Sequence, residues 1–128
     1  MDATSFRLTK IGTILLGTKS AAKAIPFYRD LLGLQLTAQF EGFAFFNAGS
    51  VTLALSEGLA RAVPQIGGAM EIVFAVEGVR EAYEALRGRG VQFRIEPRVV
   101  SGPNWAANFD DPDGNHLSIF GPEKTGAK

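Results

Sequence analysis

The chain has 128 residues, which fits one domain and suffices to bury a core without metals or disulfides. Hydrophobic residues make up 46% and charged residues 20%, thirteen basic and thirteen acidic side chains cancel, and there is no cysteine. Thiol nucleophiles, thiolate metal sites and disulfides are thereby excluded, and nothing in the charge recommends nucleic acid or an anionic membrane as a partner.

Residues 1–5 lack the basic-then-apolar pattern of a secretory leader, and no apolar run approaches the ~20 residues of a membrane span. A cytoplasmic protein is therefore expected. The apolar run at 10–16 reads as a largely buried strand. Ser20 is a candidate N-cap for a helix reaching Leu32, with Ala21, Ala24, Ile25, Tyr28 and Leu32 on one stripe and Gly33 at its C-terminal stop. Pro26 falls inside that helix and deletes a backbone hydrogen bond, which predicts a kink or a late start. Three short strands follow at 34–39, 43–47 and 51–56, punctuated by Gly42 and Gly49-Ser50. Residues 57–68, with Pro64 and three glycines, read as a loose connection.

The pattern then restarts. A strand at 70–76 leads to an amphipathic helix at 79–87 with Val79, Ala82, Tyr83 and Leu86 on one face, stopped by Gly88 and Gly90. Strands are expected at 91–95, 104–109 and 116–120. Asp111-Pro112-Asp113-Gly114 between the last two is the strongest turn signal in the chain. The polar tail 122–128 is expected to fray. The expected fold is thus α+β: one domain of two βαβββ modules, about 8–57 and 69–121, whose curved mixed sheets enclose a central cleft suited to a ligand.

Two segments give this order a family. Phe27-Tyr28-Arg29-Asp30-Leu31-Leu32-Gly33-Leu34 resembles the helix end and next strand of the first vicinal oxygen chelate (VOC) module. Asn108-Phe109-Asp110-Asp111-Pro112-Asp113-Gly114-Asn115-His116-Leu117-Ser118-Ile119 resembles the last hairpin of the same superfamily, which includes glyoxalases, bleomycin-resistance proteins and extradiol dioxygenases. Metal-bearing members take one ligand from the first and last strands of each module. The resemblance carries those positions to Thr13, Ala54, Glu71 and Ser118. Thr, Ala and Ser do not form the imidazole and carboxylate set that holds Ni, Zn, Mn or Fe, so no metal and no other cofactor is expected. The resemblance then implies a glyoxalase-like or bleomycin-resistance-like protein that holds a small, largely apolar or aromatic molecule, commonly as a homodimer. The alternative is a lyase, isomerase or dioxygenase-type enzyme with atypical ligands.

Strand alternation selects the candidate contacts. Glu71 interrupts an otherwise apolar strand, where a carboxylate calls for a partner or a ligand. It is also the one candidate catalytic residue. His116 is the only histidine, so it belongs to no histidine cluster; two residues from Ser118, it stands on the same strand face. Trp105 is assigned either to core packing or to an aromatic wall against a flat ligand. The expected ligand-binding set is therefore Thr13, Glu71, Trp105, His116 and Ser118. Asp110, Asp111 and Asp113 lack the spacing of a calcium loop and are read as a turn.

Overall fold

In the computed structural model, which describes residues 5–63 and 68–126, the first strand, β1 (Thr13–Gly17), leads to the helix α1 (Ala21–Pro26). Ser20 caps α1 as expected, its hydroxyl accepting from the Lys23 amide at 3.2 Å. Pro26 marks a change of winding. With no N–H at that position the α register is lost, and the chain continues as a π-helical turn over Phe27–Leu31, where the Leu32 amide reaches the Phe27 carbonyl five residues back. That wider turn carries Tyr28 fully into the core. Gly33, at φ +82°, then ends the segment.

Strands β2 (Gln35–Phe40), β3 (Phe43–Asn47) and β4 (Thr52–Ser56) form an antiparallel meander, and β4 pairs parallel with β1. The order across this sheet is β1-β4-β3-β2. The second half repeats the plan. Strand β5 (Glu71–Ala75), helix α3 (Val79–Gly88) and strands β6 (Phe93–Ser101), β7 (Asn104–Asp110) and β8 (His116–Pro122) give the order β5-β8-β7-β6, with β5 parallel to β8. Helix α2 (Glu57–Ala62) lies between the halves.

Three expectations are corrected here. The connection does not begin as a loose segment: α2 forms because the Ser56 hydroxyl accepts from the Leu59 amide at 3.0 Å, and the Glu57 carboxylate accepts from the Ala21 amide at 3.0 Å. Pro64 lies outside the described residues. Strand β6 is nine residues long rather than five, because it follows β7 through several register shifts. Pro97 is tolerated within it because β6 is an edge strand. The tail docks at least to Thr125, whose amide donates to Glu81 at 2.8 Å, and Glu123 pairs with Arg80. Residues 127–128 lie outside the described residues.

One continuous core joins the halves. Leu16, Ile25, Tyr28, Phe46, Leu53 and Leu55 from the first meet Val79, Tyr83, Leu86, Phe109, Leu117 and Ile119 from the second. A polar latch crosses the same boundary. Asp111, buried, accepts from the Tyr28 hydroxyl (2.6 Å), from the Asn115 side chain (2.8 Å) and from the amides of Asp113 (2.9 Å) and Asn115 (2.8 Å). Asp113 in turn accepts from the Thr18 hydroxyl at 2.7 Å and the Lys19 amide at 2.8 Å. The Asp-Pro-Asp-Gly turn is thus a clamp between the halves as well as a reversal of the chain. Burial and the Asp111 charge both push the Tyr28 hydroxyl pKa well above its ordinary value.

Candidate functional site

Both sheets carry their helices on one face, and the opposite faces are open in the single chain. Leu15, Phe43 and Val73 stand on those open faces with 42%, 38% and 52% of their surface accessible, too much for core side chains. On the second sheet the apolar surface is interrupted by a line of polar groups, one from each strand. Glu71 (β5) accepts from the Ser118 hydroxyl (β8) at 3.0 Å through Oε2, and from Asn108 Nδ2 (β7) at 2.9 Å through Oε1. Asn108 Oδ1 accepts from Arg98 Nη1 (β6) at 2.7 Å, and that same nitrogen also donates to the Ala106 carbonyl at 3.0 Å.

The register explains how the line assembles. Asn108 stands directly opposite Ser118, while Glu71 stands opposite His116, two residues before Ser118 in the parallel pair. The Glu71 side chain therefore lies diagonally across β8. Asn108 and Ser118 are buried and Glu71 is exposed, which makes an accessible carboxylate on a fixed base. His116 shares this face but is held by Asp110, whose Oδ1 accepts from its Nδ1 at 2.9 Å; Arg94 approaches the other Asp110 oxygen at 3.4 Å.

Beside Glu71, a hollow of about 230 Å³ opens between the edge strands β1 and β5. Leu15, Leu59, Val63, Met70 and Ile72 supply its apolar lining, with Glu71 and His116 at its polar side. Glu71 is the link between this hollow and the polar line.

The structure brings together Glu71, Ser118 and His116 from the sequence-derived set. Thr13 stands on the β1 face shared with Leu15 but does not line the hollow; its cross-strand partner is Thr52. Ala54 is wholly buried opposite Leu15 and Phe45. Trp105 is not an aromatic wall of this cleft. Alternation along β7 sends Trp105, Ala107 and Phe109 to the helix side and Asn108 to the open side. There the Trp105 ring packs on the core beneath the Arg80 guanidinium, 4.9 Å from its centroid. Asn108 and Arg98 were missed by reading the sequence. The signal available was an amide at an alternate position of an apolar strand, Ala-Ala-Asn-Phe, which is as informative as the carboxylate of Glu71.

These donors do not fit a metal of the kind that metal-bearing VOC proteins bind. Ala54 offers no ligand atom, Ser118 already donates its proton to Glu71, and one carboxylate receiving two neutral donors does not build a divalent site. Among the described residues no group of three or more His, Cys, Asp or Glu side chains could hold a metal ion.

Two mixed four-stranded sheets of repeated βαβββ order, each helix-backed on one face and open on the other, define the VOC class of α+β protein. Its family model matches residues 10–119, and the chain belongs to the Glyoxalase/Bleomycin resistance protein/Dioxygenase superfamily. The chain is similar to metallothiol transferase FosB of Staphylococcus haemolyticus, with 43% identity over 47 residues; the matched stretch is 37% of this chain and about a third, 34%, of that protein. Among solved structures, a glyoxalase/bleomycin resistance protein/dioxygenase from Nocardioides superposes with a TM-score of 0.77 at 25% identity, covering 97% of this chain and 89% of the other. TnmS3, an antibiotic-binding protein from Streptomyces sp. CB03234, superposes with a TM-score of 0.76 at 20% identity, covering 91% and 98%. At that identity the likeness shows the fold. No helix among the described residues is long and apolar enough to cross a membrane.

Proposed function

We propose that this protein binds a small, largely apolar or aromatic molecule in the cleft beside Glu71, and that it does so without a metal ion. The observation that carries this reading is the hydrogen-bonded line of Arg98, Asn108, Glu71 and Ser118, in which Glu71 and Ser118 stand at two of the four positions where a metal-bearing relative would present ligands. A mostly apolar hollow with a few convergent polar groups is the usual form of a small-molecule site. The fold likeness to an antibiotic-binding protein is in keeping with sequestration. Glu71 is the ligand's hydrogen-bond acceptor in this reading, and His116 borders the same hollow. Thr13 is an outer contact, reached only by a ligand that extends beyond the hollow along β1. The open faces that expose Leu15, Phe43 and Val73 are covered by a second copy in a twofold homodimer, the commonest closed symmetry. The setting is cytoplasmic, in line with a chain that has no cysteine.

One observation favours the enzymatic alternative, the local identity to a metallothiol transferase. Elemental analysis of protein purified without chelators separates the two readings. Substoichiometric Ni, Zn, Mn and Fe, together with saturable binding of a naphthalene probe such as 2-methoxynaphthalene, supports sequestration. A stoichiometric divalent ion lost in the Glu71→Gln variant refutes it.

A further inference from the structure

We infer that Asn108 sets the ligand preference of this site, by fixing the orientation of the Glu71 carboxylate so that its free lone pairs select an aromatic molecule carrying a neutral hydrogen-bond donor over one carrying an anion. The inference rests on the proposed reading that the ligand meets Glu71.

The orientation of Asn108 is determined by its neighbours. A guanidinium has only donors, so the 2.7 Å contact from Arg98 Nη1 must fall on the amide oxygen of Asn108. The amide nitrogen is thereby turned to Glu71 Oε1, 2.9 Å away. Ser118 supplies the second donor, to Oε2. A carboxylate offers about four lone-pair sites, and one on each oxygen is used here. Those that remain belong to the exposed side of Glu71 and can only accept.

The charge balance points the same way. Arg98 spends its contact on Asn108 and the Ala106 carbonyl, and among the described residues Glu71 has no ion-pair partner. Asp110, on the same face, is already matched by Arg94 and His116. The accessible, unneutralised charge beside the hollow is therefore the carboxylate of Glu71. An anionic ligand group there meets a like charge, whereas a phenolic hydroxyl or amide N–H makes a charge-assisted hydrogen bond. Asn108 is a positioning residue: it does not line the hollow, and it acts through Glu71.

The test uses three probes with one apolar body, namely 2-naphthol, 2-methoxynaphthalene and 2-naphthoate, titrated into the full chain at neutral pH. One hydrogen bond to a charged group corresponds to roughly 10–100-fold in affinity. The wild type should bind 2-naphthol about tenfold or more tighter than 2-methoxynaphthalene, with 2-naphthoate weakest. Asn108→Leu should lower the 2-naphthol affinity several-fold toward that of 2-methoxynaphthalene while the latter stays near its wild-type value, a selectivity change that loss of fold does not mimic. Because Asn108 is buried, Ser118→Ala serves as the milder variant and should reduce the same ratio in part. Measurable but equal binding of all three probes overturns the inference and leaves the binding site standing. So does a ratio unchanged in both variants. Tightest binding of 2-naphthoate also overturns it, since Arg98 would then be reading the ligand. Failure of all three probes to bind overturns the inference together with the proposed function.

Discussion

The two sheets have the same strand order, and β1-β4-β3 pairs in the same register as β5-β8-β7, yet their open faces differ in chemistry. Position by position, Thr13 corresponds to Glu71, Thr52 to His116, Ala54 to Ser118 and Phe45 to Asn108, because each pair occupies the same place in the ladder of its own sheet. In the first sheet those places hold two threonines, an alanine and a phenylalanine, beside an aromatic surface in which the Phe43 and Phe45 rings stack 6.0 Å apart and Phe40 lies edge-on to Phe45. In the second they hold a carboxylate, an amide, a hydroxyl and an imidazole. The duplicated backbone decides where side chains converge, and the residue types decide what each face can recognise. A site at the junction draws its apolar surface from both halves and its polarity from the second.

The largest effect is expected where the two halves are tied together. Asp111→Ala would strand four donors, including the buried Tyr28 hydroxyl, and should destabilise the chain by about 3–5 kcal/mol in denaturant titrations. A loss confined to surface scale would mean that the halves hold together through the apolar core alone. Tyr28→Phe removes one of those bonds and should cost about 1 kcal/mol. It also has a pH signature. The folded-state pKa of Tyr28 lies above the ordinary 10.0, so the native state keeps a proton that the unfolded chain releases. The stability tied to that proton is fully present below pH 10 and falls as pH rises beyond it. Melting temperatures across that range should decline less steeply in Tyr28→Phe than in the wild type; identical slopes would remove Tyr28 as the cause.

Changes within the two faces come next. Glu71→Gln keeps the shape of the polar face but removes its charge, and should weaken 2-naphthol binding by about tenfold with little change in melting temperature. Unchanged affinity would return Glu71 to a surface carboxylate with a structural partner. On the aromatic face, Phe45→Ala removes both ring contacts, worth about 0.5–1.5 kcal/mol each beyond the area they bury. If a second copy covers that face, light scattering should show the variant shifting toward the single-chain mass of 13.7 kDa while the wild type remains at twice that value. A wild type that already runs as a monomer would refute the covered face. The smallest effect belongs to the junction helix. Ser56→Ala removes the cap of α2 and should cost about 0.5–1 kcal/mol, visible as faster proteolysis near Leu59.

The sequence by itself determined the succession of strands along the chain, the helix stop at Gly33, the disturbance at Pro26 and the sharing of one strand face by His116 and Ser118. Each of these is a local property, written in periodicity, in a missing backbone donor or in a tolerated positive φ. Alternation puts Trp105 and Asn108 on opposite faces of their strand, but nothing local says which of the two faces the helices cover. Only the packing of β7 beneath α3 settled that, sending Trp105 to Arg80 and leaving Asn108 with Glu71. The Asn108–Glu71 contact spans 37 residues within the second sheet and the Tyr28–Asp111 latch spans 83 residues between the halves, so the first depends on how that sheet assembles and the second on how the two halves come together. Helix α2 was hidden for a related reason. It has no buried apolar stripe to announce it, and its start is fixed by the Ser56 cap and by a Glu57 bond to the Ala21 amide, 36 residues away. Hydrogen bonds of that reach are set by tertiary geometry, to which residue spacing along the chain gives no guide.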